Sequence, residues 1–119
     1  MNFADVLKFR YPEKSWGGQC GTFAHRIVQF PPIGDYLTQK KASLAKFGIT
    51  INKLDYFKIG DVLIQSYPIW GHVAIINDIQ NLNLVLTESN FYLNLKVSHK
   101  RQISMKDPKI LGVIRGTLI

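Results

Sequence analysis

The chain has 119 residues, 46% of them hydrophobic and 19% charged, a balance that suits one compact domain over residues 1–119 and excludes a disordered or two-domain chain. Its 15 basic and 8 acidic residues give a net charge of +7, which favours anionic partners such as nucleic acid, acidic lipid or a bacterial wall polymer. Only Lys40-Lys41 and Lys100-Arg101 are adjacent basic pairs, no apolar run reaches 18 residues, and the N-terminus lacks a basic-then-apolar order; nucleic acid, membrane insertion and a secretion signal are therefore not expected.

The elements follow in chain order. Phe3, Val6, Leu7 and Phe9 predict a short helix within Asn2 to Arg10, stopped by Tyr11-Pro12. A loop over Glu13 to Gly18 leads into a second helix. Its apolar positions, Phe23, Ala24, Ile27, Val28 and Phe30, carry it from Cys20 to Phe30, where Pro31-Pro32 ends it. Asp35 to Phe47 reads as a third helix, with Leu37, Leu44 and Phe47 inward, Gln39, Lys40 and Lys46 outward, and Gly48 as C-cap. The second half changes character. Strands are predicted at Val62 to Ser66, His72 to Ile79, Leu84 to Ser89, Leu95 to Ile103 and Leu111 to Leu118. Asn81-Leu82-Asn83 forms a hairpin turn and Asp107-Pro108 a break. Helices followed by about five antiparallel strands predict an α+β domain with N-terminal helices packed on one face of a sheet.

Cys20 is the only cysteine, so it can neither form an internal disulfide nor build a thiolate zinc site alone. It opens the second helix after Gly17-Gly18-Gln19. There the free backbone N–H groups and the positive end of the helix dipole favour a thiolate and could hold an oxyanion. Gly17, Gly18 and Gly21 leave room for a substrate backbone beside the sulfur. On these residues alone, a buried thiol at a tight helix start and a nucleophile stand as equals.

A nucleophilic thiol needs a base from another element. His25 sits on the same helix, about 140° round from Cys20, and reads as a polar-face residue. His99 beside Lys100-Arg101 reads as solvated. His72, behind Trp70-Gly71 and at the mouth of the apolar strand Val73-Ala74-Ile75-Ile76, is placed either as a structural strand-end histidine or as a base overhanging a cleft. Along Leu84 to Asn90 the period of two puts Leu84, Leu86, Glu88 and Asn90 on one face. A hairpin turn centred near residue 81 pairs position 72 with about position 90 and brings Glu88 and Asn90 to His72. Either could orient the imidazole.

The strings Gly18-Gln19-Cys20, Ile59-Gly60-Asp61-Val62-Leu63, Gly71-His72-Val73-Ala74-Ile75-Ile76, Thr87-Glu88-Ser89-Asn90 and Gly112-Val113-Ile114-Arg115 together resemble the CHAP domain, a cysteine, histidine-dependent amidohydrolase/peptidase within the papain-like and NlpC/P60-like group. The resemblance spans residues 15 to 116. It implies Cys20 as nucleophile, His72 as general base, Glu88 as the orienting third residue, Asn90 as a supporting polar group, and Gln19 with the Cys20 N–H as oxyanion-hole donors. Trp16, Trp70 and Phe91 are candidates to wall the cleft or to pack in the core. Some relatives hold calcium in an acidic loop before the cysteine. Here Tyr11 to Trp16 offers one carboxylate, so no metal and no cofactor are expected.

Family members mostly cleave peptidoglycan, as endopeptidases or N-acetylmuramoyl-L-alanine amidases, and many are phage lysins or secreted wall hydrolases. The resemblance thus implies a hydrolase acting at the bacterial wall, free or attached to a larger lysin or virion assembly; that no wall-binding module is expected after residue 119 is a departure from the family pattern. A protease or deamidase acting on a protein, and a non-catalytic structural or binding domain, are the alternatives.

Overall fold

A computed structural model describes residues 2–50 and 56–119. Three helices precede or interrupt the first short strands: α1 Phe3–Arg10, α2 Cys20–Ile27 and α3 Leu37–Phe47, with β1 Val28–Gln29 after α2 and β2 Ile49–Thr50 after α3. The strands β3 Val62–Gln65, β4 His72–Gln80, β5 Asn83–Ser89, β6 Val97–Ser98, β7 Gln102–Ser104, β8 Ile110–Ile114 and β9 Thr117–Leu118 follow. The main sheet is antiparallel in the order β2-β8-β3-β4-β5-β6, with β7 also on β5, while β1 and β9 form a separate pair. This is the α+β arrangement read from the sequence.

The helix-facing side of the sheet buries Val62, Ile64, Val73, Ile75 and Ile114 against Leu7 of α1, Phe23, Ala24 and Ile27 of α2, and Leu44 of α3. The other side buries Leu63, Ala74, Ile76, Leu84, Leu86 and Val113 under Phe57, Ile103 and Met105. β3 and the first half of β4 are covered on both faces, which is why they read as unbroken apolar runs.

Several expected boundaries move. The helix read to Phe30 ends at Ile27, because Val28 and Gln29 pair with Leu118 and Thr117. The strand read over Leu95 to Ile103 divides into β6 and β7, which pair with the two ends of β5. The strand read over Leu111 to Leu118 divides into β8 and β9. On α3, Lys40 is buried rather than outward and Phe47 is exposed rather than inward. Gly48 does close the helix, its N–H donating to the Leu44 carbonyl.

Candidate active site

Cys20 is the first residue of α2 and is half-buried. The loop before it is tied down. Gly17 and Gly18 donate their N–H groups to the Leu95 carbonyl, and Ser89 Oγ donates to the Gly18 carbonyl at 2.7 Å. A Cβ on Gly17 would sit 2.4 Å from Ser89 Oγ, so this glycine serves the close approach of the loop to β5. Of the three glycines expected to open onto a substrate, only Gly21 has free space around its Cα. Gln19, the N-cap, makes no side-chain capping bond, so its own side chain does not close over the first-turn N–H groups of α2.

His72 is the first residue of β4 and 4% exposed. Its Nε2 lies 2.8 Å from Glu88 Oε1, which leaves Nδ1 as the nitrogen available to the sulfur. Cys20 and His72 line one cleft, near enough that each shifts the other's titration, and the Val73 backbone acts on the thiol as well. Burial pushes the Cys20 thiol up, but the His72 hydrogen bond and charge, the Val73 backbone contact and the Lys40 charge outweigh it and bring it below its ordinary value. Burial pushes His72 down, and its bonds to Cys20 and Glu88 overcome this and raise it. The two shifts together favour a thiolate–imidazolium pair.

Glu88 is fully buried, and burial alone would neutralise it. Arg101 prevents that. Its Nε donates to Oε2 at 2.7 Å and its Nη2 to Oε1 at 2.8 Å, and with His72 these bonds hold the carboxyl below its usual range. The same Nη2 donates to Gln65 Oε1 at 2.8 Å, and the guanidinium lies 3.6 Å from the centre of the Phe91 ring. In the sequence Arg101 is one half of an adjacent basic pair with no assigned role; its reach to Glu88 depends on the β5–β7 pairing, for which the local sequence carries no signal.

Asn90 takes a different place from Glu88. It has a left-handed backbone, φ 66, and its Oδ1 accepts the Leu95 N–H at 2.9 Å. That fixes the amide orientation, so Nδ2 faces Gln19 Oε1 at 3.3 Å. The Gln19 carbonyl is thereby occupied and its NH₂ is free to donate. Gln19, Cys20, Gly21, Lys40, Trp70, His72, Asn90 and Phe91 line one cleft of about 690 Å³. Phe91 meets the His72 ring edge-on at 5.2 Å, and Trp70 stacks on Tyr36 at 4.9 Å. Trp16 stands outside this cleft, two-thirds exposed, with Arg26 over its ring.

The other histidines lie apart from the thiol. His25 is exposed and stacks on Phe30, as its helical position implied. His99 corrects the sequence reading: it is 2% exposed, its ring nitrogens engage Thr87 Oγ1 and the Tyr11 carbonyl, and its N–H donates to Glu13 at 2.8 Å. It is a structural histidine tying the chain after α1 to the sheet. Among the described residues no group of three His, Cys, Asp or Glu side chains is placed to hold a metal ion, and no helix is long and apolar enough to cross a membrane.

No family model and no curated protein matches the sequence. Among solved structures, the chain is similar to the crystal structure of a wild-type endolysin, LysIME-EF1, with a TM-score of 0.56 and 22% identity over 98% of this chain and 64% of that one. The chain therefore spans less than two thirds of that endolysin's length. The likeness is one of fold: three helices packed on a many-stranded antiparallel sheet.

Proposed function

We propose that this protein is a CHAP-type cysteine hydrolase that cleaves an amide bond in peptidoglycan, as an endopeptidase or N-acetylmuramoyl-L-alanine amidase. The observation that carries the reading is the half-buried Cys20 thiol sharing one cleft with His72, whose ring is bonded to Glu88, itself held by Arg101. A histidine kept only for structure has no use for a clamped carboxylate on one nitrogen and a thiol lining the same cleft.

In this reading the Cys20 thiolate attacks the substrate carbonyl carbon. The oxyanion that forms takes hydrogen bonds from the Cys20 N–H at the helix start and from the free Gln19 amide, which Asn90 aims. His72 gives its proton to the amine nitrogen as the C–N bond breaks, leaving a thioester on Cys20. Water then attacks the thioester with His72 as base, releasing the carboxylate product and restoring the thiol. Glu88 keeps the ring oriented and steadies the imidazolium. Trp70 and Phe91 line the cleft in which this chemistry runs.

The wall polymer as substrate is supported by the likeness to an endolysin fold and by the +7 charge, which favours anionic wall polymers. The protein would act at the bacterial wall, alone or carried by a larger lysin or virion assembly. Turbidity of purified cell walls tests the reading: the native protein clears them and Cys20→Ala does not. Equal clearing by both ends the thiol mechanism. Cleavage of a protein panel with intact walls would move the same chemistry to a protease or deamidase.

A further inference from the structure

We infer that Lys40 is a second counter-cation of the Cys20 thiolate, holding it from the α3 side of the cleft while His72 holds it from the β4 side. The inference rests on Cys20 acting as a thiolate nucleophile. Lys40 is only 2% exposed, yet it lines the cleft together with Cys20 and His72. Buried ammonium groups are normally paired with an anion, because an unpaired one is costly. Among the described residues Lys40 forms no salt bridge: the ion pairs are His72–Glu88, Arg101–Glu88 and Arg115–Asp61.

Its Nζ donates to two neutral backbone carbonyls, Gly34 at 3.2 Å and Asp35 at 2.7 Å. An ammonium has three donors, so these bonds leave one unused. They also fix the ammonium in place and tether the 34–35 segment as a cleft wall. The stem is held from below by Gly71, where a Cβ would come within 3.1 Å of Lys40 Cδ. The charged groups around Lys40 are Cys20 and the exposed Asp35 carboxylate; those acting on Cys20 are His72 and Lys40. With the Asp35 carboxylate exposed and the Lys40 stem against Gly71, the residue before His72, the half-buried Cys20 sulfur is the cleft group that can carry the missing negative charge.

Iodoacetamide alkylation of Cys20 as a function of pH tests this, because only the thiolate reacts. Lys40→Met keeps the length of the stem and removes the charge. It is expected to move the alkylation midpoint upward, slowing the reaction ~3-fold or more at pH 6 with the same alkaline plateau; Lys40→Arg should retain the native midpoint. A purely structural lysine, or one that binds a substrate anion, would change stability or KM and leave the midpoint alone, and that outcome overturns the inference. His72→Ala run alongside separates the two claims: if it too leaves the midpoint unmoved, the nucleophile reading itself fails. If Lys40→Met does not fold, the reciprocal effect serves. In ¹³C-lysine-labelled protein, the Lys40 Cε resonance of Cys20→Ser should titrate at lower pH than in the native protein, and identical titrations overturn the proposal.

Discussion

Replacing Arg101 by methionine is the sharpest probe of how the site is held. The substitution keeps much of the stem and removes two hydrogen bonds from a carboxylate whose side chain has no exposed surface. The Arg101 side chain is itself 12% exposed, so solvent screening relieves little of the loss. Stripping one partner from a buried ion pair costs about 3–5 kcal/mol. The lower end applies here, because Glu88 keeps His72 as a cationic neighbour. An unfolding entropy of ~2.1 cal/mol/K per residue over 119 residues gives ~0.25 kcal/mol/K, so ~3 kcal/mol lowers Tm by roughly 12 °C. The sign with pH follows from Glu88. Its folded pKa is depressed, so its stabilisation is present above the unfolded carboxylate value near ~4.3 and lost as pH falls through the folded value. Without Arg101, burial is opposed by His72 alone, and the loss begins at higher pH. Circular dichroism melts between pH 3 and 8 should therefore show the full destabilisation at pH 7 and a narrowing gap toward pH 3. Adding Glu88→Gln should make Arg101→Met cheaper, with a coupling above ~1.5 kcal/mol. A Tm within 2 °C of the native protein at pH 7, or additive single and double variants, would refute the clamp.

The pH–rate profile for kcat/KM should be bell-shaped. Its acid limb lies below the ordinary thiol range, where the lowered Cys20 reprotonates as pH falls; its alkaline limb lies above the ordinary imidazole range, where the raised His72 loses its proton as pH rises. An activity that rises with pH and never falls on the alkaline side would contradict the profile; the His72 contribution to stability is likewise full below an unfolded value near ~6.5 and lost as pH rises through the raised folded one. Gly71→Ala should cost about 1–2 kcal/mol, since φ is +65 and a Cβ would sit 3.1 Å from the Gln65 carbonyl and from the Lys40 stem. That corresponds to a Tm drop of roughly 4–8 °C, with a larger loss of activity because His72 is the next residue; a variant with native Tm and activity would show the turn to be dispensable.

Much of the candidate site is legible in the chain because its members lie at element ends that sequence marks clearly. Gly17-Gly18 before an apolar helical pattern places Cys20, and Gly71 before an apolar strand places His72. The polar end of the face Leu84, Leu86, Glu88, Asn90 marks the third position. What stayed hidden shares one property: it depends on pairings between distant segments. Lys40 is a lysine in an ordinary helix until the 34–35 carbonyls and Gly71 enclose it. His99 looks like part of a charged stretch until Thr87, Tyr11 and Glu13 close around it. Asn90 and Glu88 are two residues apart on one face, yet the left-handed turn at Asn90 sends its amide to Gln19 instead of the imidazole.

The register of β5 shows how this assembly is achieved. Near the turn, β4 and β5 pair as Asp78↔Val85, Ile79↔Leu84 and Gln80↔Asn83. Continued without interruption, that register would set Ile75 opposite Glu88 and His72 opposite position 91, leaving Glu88 and His72 on opposite faces. Asn77 is the extra residue in the bulge between Ile76 and Asp78, with its amide on Thr87 Oγ1 at 2.9 Å. Beyond it the pairing Ile75↔Thr87 sets Ala74 opposite Glu88, so Glu88 comes to the face of His72. The far side of β5 repeats the device. Ser98 pairs with Glu88 in β6, but Gln102 pairs with Val85 in β7, so one residue between them is surplus. Carried inward from β6, the register would put Lys100 opposite Leu86; carried from β7, it puts Arg101 there, and the Leu86 N–H does donate to the Arg101 carbonyl. Two single-residue irregularities, one on each side of β5, thus turn an imidazole and a guanidinium onto the same buried carboxylate. A sheet without them would still bury its apolar rows, but it would leave Glu88 buried without the imidazole or the guanidinium.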